Sequence, residues 1–484
     1  MAALKETLTK EEKQALVKQT KELLAYQNHI DTKEELATLP QLKLKDIPSS
    51  INYVASKKLK LNGMEGFSHT LNTNSIAYFR MFFDMSVLNF EDMPYVMLLK
   101  ALLKNVKTTK YQPLQLNNLI KTFLGDLSFS SNILSLNKDE CKAFFKVSAS
   151  SLVENVDYIP LVLNEILLHS KFTKKEVLMI AKQINNNLKR GIIENGMGYA
   201  MMMSRRHYSL SSALAANLNG GPLVYNFFND LVNNFNYQKV NNKLKEITAK
   251  LFNKKNVNIS LSGDEMTLNE LSKAVRKIKL PLKKYESTLV VNTSNPLNEA
   301  LIIPSGVSYN SFSNNLENFN LKYNGKHAVL SQIVNYDYLW SEVRVKGGAY
   351  GCSLSISRNG DVSFGSYRDP NVTNTYNVFN NLVDYLKNLK VSKEQFTSYI
   401  IGTMSGFDMP ASTPSLINEW DINYLSNITK KDKVNLKKQI LKTKLSDIVE
   451  CYKMFEQMAP TSSKYTIGNE VKVKEYQFDD TKVL

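Results

Sequence analysis

Cysteine is scarce. The 484 residues hold three, Cys141, Cys352 and Cys451, far apart in the chain. No pair has the spacing of a metal clip or a redox couple, and an odd, scattered set does not staple a secreted scaffold, so a reducing compartment is expected. Histidine is nearly as rare. The five, His29, His69, His169, His207 and His327, include no two at four-residue spacing, the spacing that puts two zinc ligands on one helix face. No metal-binding motif is therefore expected in this chain. Long apolar runs are missing too: none approaches the roughly 20 residues of a membrane helix. The stretch from Met1 to Lys21 reads as a Lys- and Glu-rich helix without the apolar core of a signal peptide. These absences predict a protein with no membrane partner, cytoplasmic if bacterial and organellar if eukaryotic.

Positive charge is abundant but diffuse. Lys and Arg number 61 against 45 Asp and Glu, a net charge of +16, and the densest clusters are pairs such as Lys254-Lys255, Lys283-Lys284 and Lys430-Lys431. A nucleic-acid binder concentrates such residues on one element or stripe, so no nucleic-acid partner is expected. A composition of 43% apolar and 22% charged residues is that of a folded globular protein. The length exceeds what one hydrophobic core supports, which predicts two or three domains.

Capping signals and periodicity divide the chain. Thr9 to Glu12 and Thr32 to Glu35 fit capping boxes, and Pro40 and Pro48 break regular structure. Residues 1–47 thus read as a helical hairpin linker, with Leu16, Thr20, Leu23 and Leu24 near one helix face. Two α+β regions follow, 48–284 and 285–484. The first predicts a helix over Met93–Leu103, strands around Leu127–Leu134 and Ala143–Ser148, and a helix over Val153–His169. A further helix starts at the capping box Thr173 to Glu176, and a closing strand covers Val257–Leu261. The second opens near Ala300–Ile303. It predicts a helix over His327–Val345, a hairpin over Ala349–Tyr367, a helix over Asn374–Leu389 and another starting at Ser392 to Gln395. The late caps lie 392 − 173 = 219 residues apart with the same order of elements between, which suggests a duplicated domain joined near Lys279–Lys284.

The most informative stretch is 327–357. Val329, Leu330, Ile333, Val334, Tyr338, Leu339, Trp340 and Val343 lie nearly all round the first helix, which predicts burial on most sides. Gly347-Gly348 ends it. Tyr350, Cys352, Leu354 and Ile356 then alternate with small residues as a strand, and Asn359-Gly360 signals a two-residue hairpin turn. Arg344 thus stands at a helix end and Tyr350 at a strand start, across a glycine corner. A guanidinium holds a carbonyl or carboxylate by paired hydrogen bonds, and a phenol can donate to an oxygen gaining negative charge. An Arg at a helix C-terminus and a Tyr in a strand are also ordinary choices of dipole and β-propensity, so spacing alone leaves their role open. Cys352, on the apolar strand face, reads as an inert core thiol. Met201-Met202-Met203 reads as core filling, and Arg205-Arg206-His207 as a solvated helix end.

The run Leu339-Trp-Ser-Glu-Val-Arg-Val-Lys-Gly-Gly-Ala-Tyr350-Gly resembles the signature of the C-terminal half of pitrilysin/insulinase-type zinc metallopeptidases, closest to the presequence-protease (falcilysin-like) subfamily. Ser366-Tyr-Arg-Asp-Pro-Asn371, Asn219-Gly-Gly-Pro-Leu-Val-Tyr225 and Leu42-Lys-Leu-Lys-Asp-Ile-Pro48 resemble it as well, so the likeness covers nearly the whole chain. It implies an α+β fold of two homologous metallopeptidase-type α/β sandwich domains after a helical hairpin linker. The first would be a non-zinc domain, and the second would carry the Arg/Tyr pair. It also implies a peptidase in which two halves enclose short unstructured peptides. The N-terminal half would carry zinc on an inverted His-x-x-Glu-His motif. The C-terminal half would supply an Arg that anchors the substrate backbone, here Arg344, and a Tyr that stabilises the carbonyl oxygen, here Tyr350. The expected partners are a zinc-bearing N-terminal half, on the same or a separate chain, and an unfolded peptide. This chain alone is expected to be inactive. The alternative is a stand-alone, catalytically silent subunit that pairs with a zinc-bearing partner or acts structurally.

Overall fold

Reciprocal hydrogen bonds fix where the helices near the N-terminus begin. Thr9 N donates to Glu12 Oε2 (2.7 Å) and Glu12 N to Thr9 Oγ1 (3.2 Å), opening α1 (Lys10–Gln27). Thr32 and Glu35 repeat the exchange at 2.7 and 3.2 Å. The computed structural model describes residues 9–27, 29, 32, 34–35, 38, 42–48, 50–103 and 105–484. Pro40 and the start of the expected N-terminal helix lie outside the described residues. The chain divides into a unit ending at Pro48 and a second unit, Ser49–Leu484.

The second unit holds two six-stranded sheets, in keeping with the α+β expectation. The first contains β1 (Ser56–Leu61), β2 (Met64–Thr70), β3 (Ile76–Asp84), β4 (Asp126–Asn137), β5 (Glu140–Leu152) and β6 (Val257–Gly263), in the order β1-β2-β6-β3-β5-β4. The other contains β7 (Glu299–Ile302), β8 (Tyr309–Asn315), β9 (Gly351–Ile356), β10 (Asp361–Tyr367), β11 (Ser463–Gly468) and β12 (Asp480–Val483), in the order β12-β7-β11-β8-β10-β9. From the second strand of each order onward the two sheets share one plan. A parallel pair, β2–β6 or β7–β11, comes first. A central strand, β3 or β8, follows it antiparallel, and a hairpin, β5–β4 or β10–β9, closes the far edge.

The helices that bear on the site are α2 (Met93–Leu103), α3 (Lys174–Glu194), α4 (Gly196–Arg205), α5 (Pro222–Asn233), α6 (Gly325–Ile333), α7 (Lys393–Ser405) and α8 (Thr413–Leu425). Thr173 and Glu176 cap α3 reciprocally. Ser392 caps α7 through Gln395 N (3.1 Å), but the Gln395 side chain turns to Tyr399 instead of returning the bond.

Each sheet is covered by a helix belonging to the other sheet's stretch of chain. α8 lies on the first sheet, where Leu425 joins Phe67, Phe82, Leu134 and Phe144 in an apolar cluster; each buried Phe there is worth about 2–3 kcal/mol. α4 lies on the second sheet across β8, β10 and β11. Small residues permit that approach: a Cβ on Gly365 would meet Met201 Sδ at 2.7 Å, and one on Gly196 would meet the Tyr309 ring at 2.4 Å. Met201, Met202 and Met203 are buried, in line with core filling. Arg205, Arg206 and His207 are not a solvated helix end. Arg205 donates to Met201 O (3.1 Å), Arg206 grips both Glu299 oxygens (2.8 and 2.7 Å), and His207 lies between Glu299 (3.3 Å) and Ser294 (2.8 Å).

Candidate functional site

The helix expected over His327–Val345 forms in two parts. α6 is α-helical, and Val334–Lys346 continues it as a π-helix. Hydrogen bonds from i to i+5 close a wider turn, of about 4.4 residues, and such turns are rare and tend to occur at functional sites. The buried residues show why it suits this sequence. Val329/Leu330, Ile333/Val334, Tyr338/Leu339 and Val343 recur every four to five residues, so a wider turn keeps them on one side. Tyr336, Trp340 and Val345 fall on the other side and are exposed. Trp340, expected in the buried set, is 46% exposed.

A braced corner follows. Gly348 N returns to Arg344 O (3.0 Å) and Ala349 N to Val343 O (3.1 Å). Gly348 has φ +79°, a left-handed conformation open to glycine at little cost. Tyr350 N then bonds Tyr367 O (3.0 Å) and starts the hairpin. The Ser366–Asn371 segment holds this corner in place. Asn371 Nδ2 donates to Gly347 O (2.7 Å), and Asn371 N donates to Asp369 Oδ1 (2.9 Å). The buried Asp369 also accepts from Asn310 (3.2 Å) and Thr375 (2.7 Å). Burial nonetheless pushes its carboxyl above the usual carboxylate value.

The edge strand β9 is fastened to the π-helix as well. Asn335 Oδ1 accepts from Leu354 N while Asn335 Nδ2 donates to Leu354 O (3.0 Å). Cys352 Sγ donates to Leu339 O (3.2 Å), and burial pushes this thiol up to about 11, which leaves it unreactive. The hairpin turn is longer than the two residues expected. Ser357 N bonds Asp361 O (2.8 Å), and of Asn359 and Gly360 only Gly360 has a positive φ, +90°.

Arg344 and Tyr350 come together on this corner. The Arg344 guanidinium carbon stands 3.9 Å from the centre of the Trp340 ring and 6.0 Å from that of Tyr350. Arg344 is half-buried, and Tyr350 is 70% exposed. The Tyr350 ring meets Tyr367 edge-on at 5.9 Å. Among the described residues nothing hydrogen-bonds or ion-pairs with the Arg344 guanidinium. The acidic groups of its own helix are engaged elsewhere: Glu342 with Lys346 (2.6 Å) and Asp337 with the Tyr385 hydroxyl (2.7 Å). The arrangement offers a planar five-donor cation and a phenol on one exposed face, fit to hold carboxylate or carbonyl oxygens.

The histidines do not fit a zinc site. His69 lies between Asp421 (3.1 Å) and the Ala55 carbonyl (3.1 Å), His207 is committed to Glu299 and Ser294, and His327 Nδ1 accepts from Asn324 N (3.0 Å). Among the described residues no three His, Cys, Asp or Glu side chains converge to hold a metal. Among them, too, no helix is long and apolar enough to cross a membrane. Asn219–Tyr225 has a structural job: Gly220 and Gly221, at φ +95° and +96°, turn against Tyr199 of α4 and lead into α5.

The fold is that of the M16 peptidase domains. A peptidase M16 inactive domain from Pseudomonas fluorescens superposes with a TM-score of 0.61 at 15% identity, covering 86% of this chain and 98% of that one. Residues 1–223 match the family of regions associated with subfamily C of the M16 peptidases, and residues 298–466 match the "PreP C-terminal domain". Presequence protease 1, chloroplastic/mitochondrial, of Arabidopsis thaliana is 29% identical over 92% of this chain and 42% of its own length. Protein HypA of Clostridium perfringens is 27% identical over 95% of this chain and 48% of its own. The chain thus spans about half or less of the length of these relatives. It belongs with the M16 presequence-protease-like proteins.

Proposed function

We propose that this chain is the non-zinc half of a zinc endopeptidase for short, unstructured peptides, and that it contributes Arg344 and Tyr350 to the reacting peptide. One observation carries the reading. Arg344 is a guanidinium with no acceptor among the described residues, held half-buried beside an exposed phenol on a corner that four backbone and side-chain hydrogen bonds brace. Cations in folded proteins ordinarily find a carboxylate or solvent; one kept ready next to a phenol suits a ligand rich in backbone oxygens. In this reading Arg344 grips a peptide carbonyl or carboxylate, and the Tyr350 hydroxyl donates to the carbonyl oxygen as its negative charge grows. The metal is supplied by an N-terminal half outside this chain, on the same gene product or a separate one. Residues 1–47 serve as the linker, and 48–284 and 285–484 as two copies of one domain; the shared strand plan of the two sheets supports the duplication.

The test adds the candidate N-terminal half to this chain and follows cleavage of a fluorogenic peptide. Activity that needs both parts and falls in Tyr350→Phe and Arg344→Met supports the proposal. Stoichiometric zinc and peptide cleavage by this chain alone would overturn it. The structural neighbour named an inactive domain favours a second reading, a catalytically silent subunit with a structural role. That reading is preferred if the mixture cleaves peptide equally well with both variants.

A further inference from the structure

Resting on the reading of Arg344 as an anchor, we propose that Trp340 is its positioning residue. It holds the guanidinium by the face so that every in-plane donor stays free for the peptide. An arginine on a helix is usually fixed by a carboxylate, and that uses two of its five donors. Arg344 is fixed differently. Its guanidinium carbon is 3.9 Å from the Trp340 ring centre, well inside cation–π range, and Tyr350 stands 6.0 Å from it. The donors of a guanidinium lie in its plane, while the ring attracts it through its face. The stack therefore narrows the side chain's rotamers without occupying a donor. The surrounding charges fit this division of labour, since Glu342 is bound by Lys346 and Asp337 by Tyr385, leaving no carboxylate on that helix to draw the guanidinium away. The π-helix is what turns Trp340 outward: the buried set around it, Tyr338, Leu339 and Val343, leaves this ring 46% exposed one turn before Arg344.

A double-mutant cycle in the reconstituted enzyme tests the proposal. Trp340→Leu is expected to lower kcat/KM by about 5–30-fold when Arg344 is present, the range of a cation–π contact between exposed and desolvated. It should change kcat/KM less than about 2-fold in an Arg344→Met background, and Trp340→Phe should retain most of the activity. If Trp340→Leu has the same effect in both backgrounds, the positioning role is overturned while Arg344 remains an anchor. If Arg344→Met itself leaves turnover unchanged, the anchor reading fails and the positioning role falls with it. A second measurement uses this chain without any partner. The Trp340 emission is taken as the difference between wild type and Trp340→Phe, leaving the buried Trp420 untouched. Arg344→Met should increase acrylamide quenching of that emission, and unchanged quenching would overturn the stack itself.

Discussion

The two sheets share a strand plan and differ in what they do with it. In the first, the central strand β3 is aromatic and apolar, and Phe79, Met81, Phe82 and Phe83 are all buried. In the second, the central strand β8 is Ser- and Asn-rich, and Asn310, Ser311, Ser313, Asn314 and Asn315 are equally buried. The second tolerates this because its polar atoms are paired, with Ser204 of α4 reaching Ser311 (2.8 Å) and Ser313 (2.6 Å) and Asn310 reaching Ser366 (3.0 Å). The polar ties between sheet and covering helix are mirror images. On the first, an acid from the helix, Asp421, meets His69, Arg80 and Ser260 of the strands. On the second, an acid from the sheet, Glu299, meets Arg206 and His207 at the helix end. After the first sheet's helix, α2, the chain takes more than 20 residues to reach its hairpin. After the second sheet's, Gly347 to Tyr350 suffice. The lesson is that the architecture is common to both regions while the exposed Arg/Tyr corner belongs to one connection.

The largest effect should come from unbalancing the mirror. Asp421→Ala leaves Arg80 buried without its counter-ion and is expected to cost about 3–5 kcal/mol. Glu299→Ala should cost about half as much, because Arg206 keeps some exposure. Urea unfolding of both variants checks the ratio, and equal costs would break the contrast. Next, Tyr350→Phe should lower turnover with the N-terminal half by roughly 10²–10³-fold and change stability by no more than about 0.5 kcal/mol; a full rate would remove the phenol from the chemistry.

The third prediction compares helix starts. Asn89 N bonds the Asp92 side chain (3.2 Å) ahead of α2, whereas Asn324 N bonds His327 (3.0 Å) at α6. Burial pushes the His327 imidazole down to about 4. A base with a depressed folded value is charged more readily in the unfolded chain. Its contribution is therefore present in full above the unfolded value of about 6.5 and drains away as pH falls toward 4. The loss is about 3 kcal/mol across that window, and His327→Asn, which keeps the acceptor, should flatten the profile by that amount. An unchanged slope between pH 6.5 and 4 would count against it. The smallest effect is Gly348→Ala, expected to cost about 1–2 kcal/mol from its positive φ, with a larger loss of activity than of stability if the corner positions Tyr350.

What the sequence revealed follows the same division. The helix Met93–Leu103 and the hairpin strands of both sheets were legible because apolar periodicity decides them locally. The repeat was legible through caps 219 residues apart, although the closing strands β6 and β11 start only 463 − 257 = 206 apart, the second copy being shorter between. β8 was not legible, since Asn and Ser favour turns until distant partners satisfy them. The pairing of Arg206 and His207 with Glu299 depends on residues over 90 positions away, so a local charge count sees only a basic helix end. The glycine corner with Arg344 and Tyr350 could be read from its motif. The outward turn of Trp340 could not be read with an α-helical period, though the four-to-five-residue spacing of its buried neighbours carried that signal.

Asn335 has a consequence beyond the site. The outer strand of a sheet offers its free backbone groups to any passing chain as a template for growth. On β9 the Asn335 amide answers both the N–H and the C=O of Leu354, as a neighbouring strand would. A single side chain thus acts as a false strand of one residue. It interrupts the row at its middle and protects the open border of this sheet from self-association.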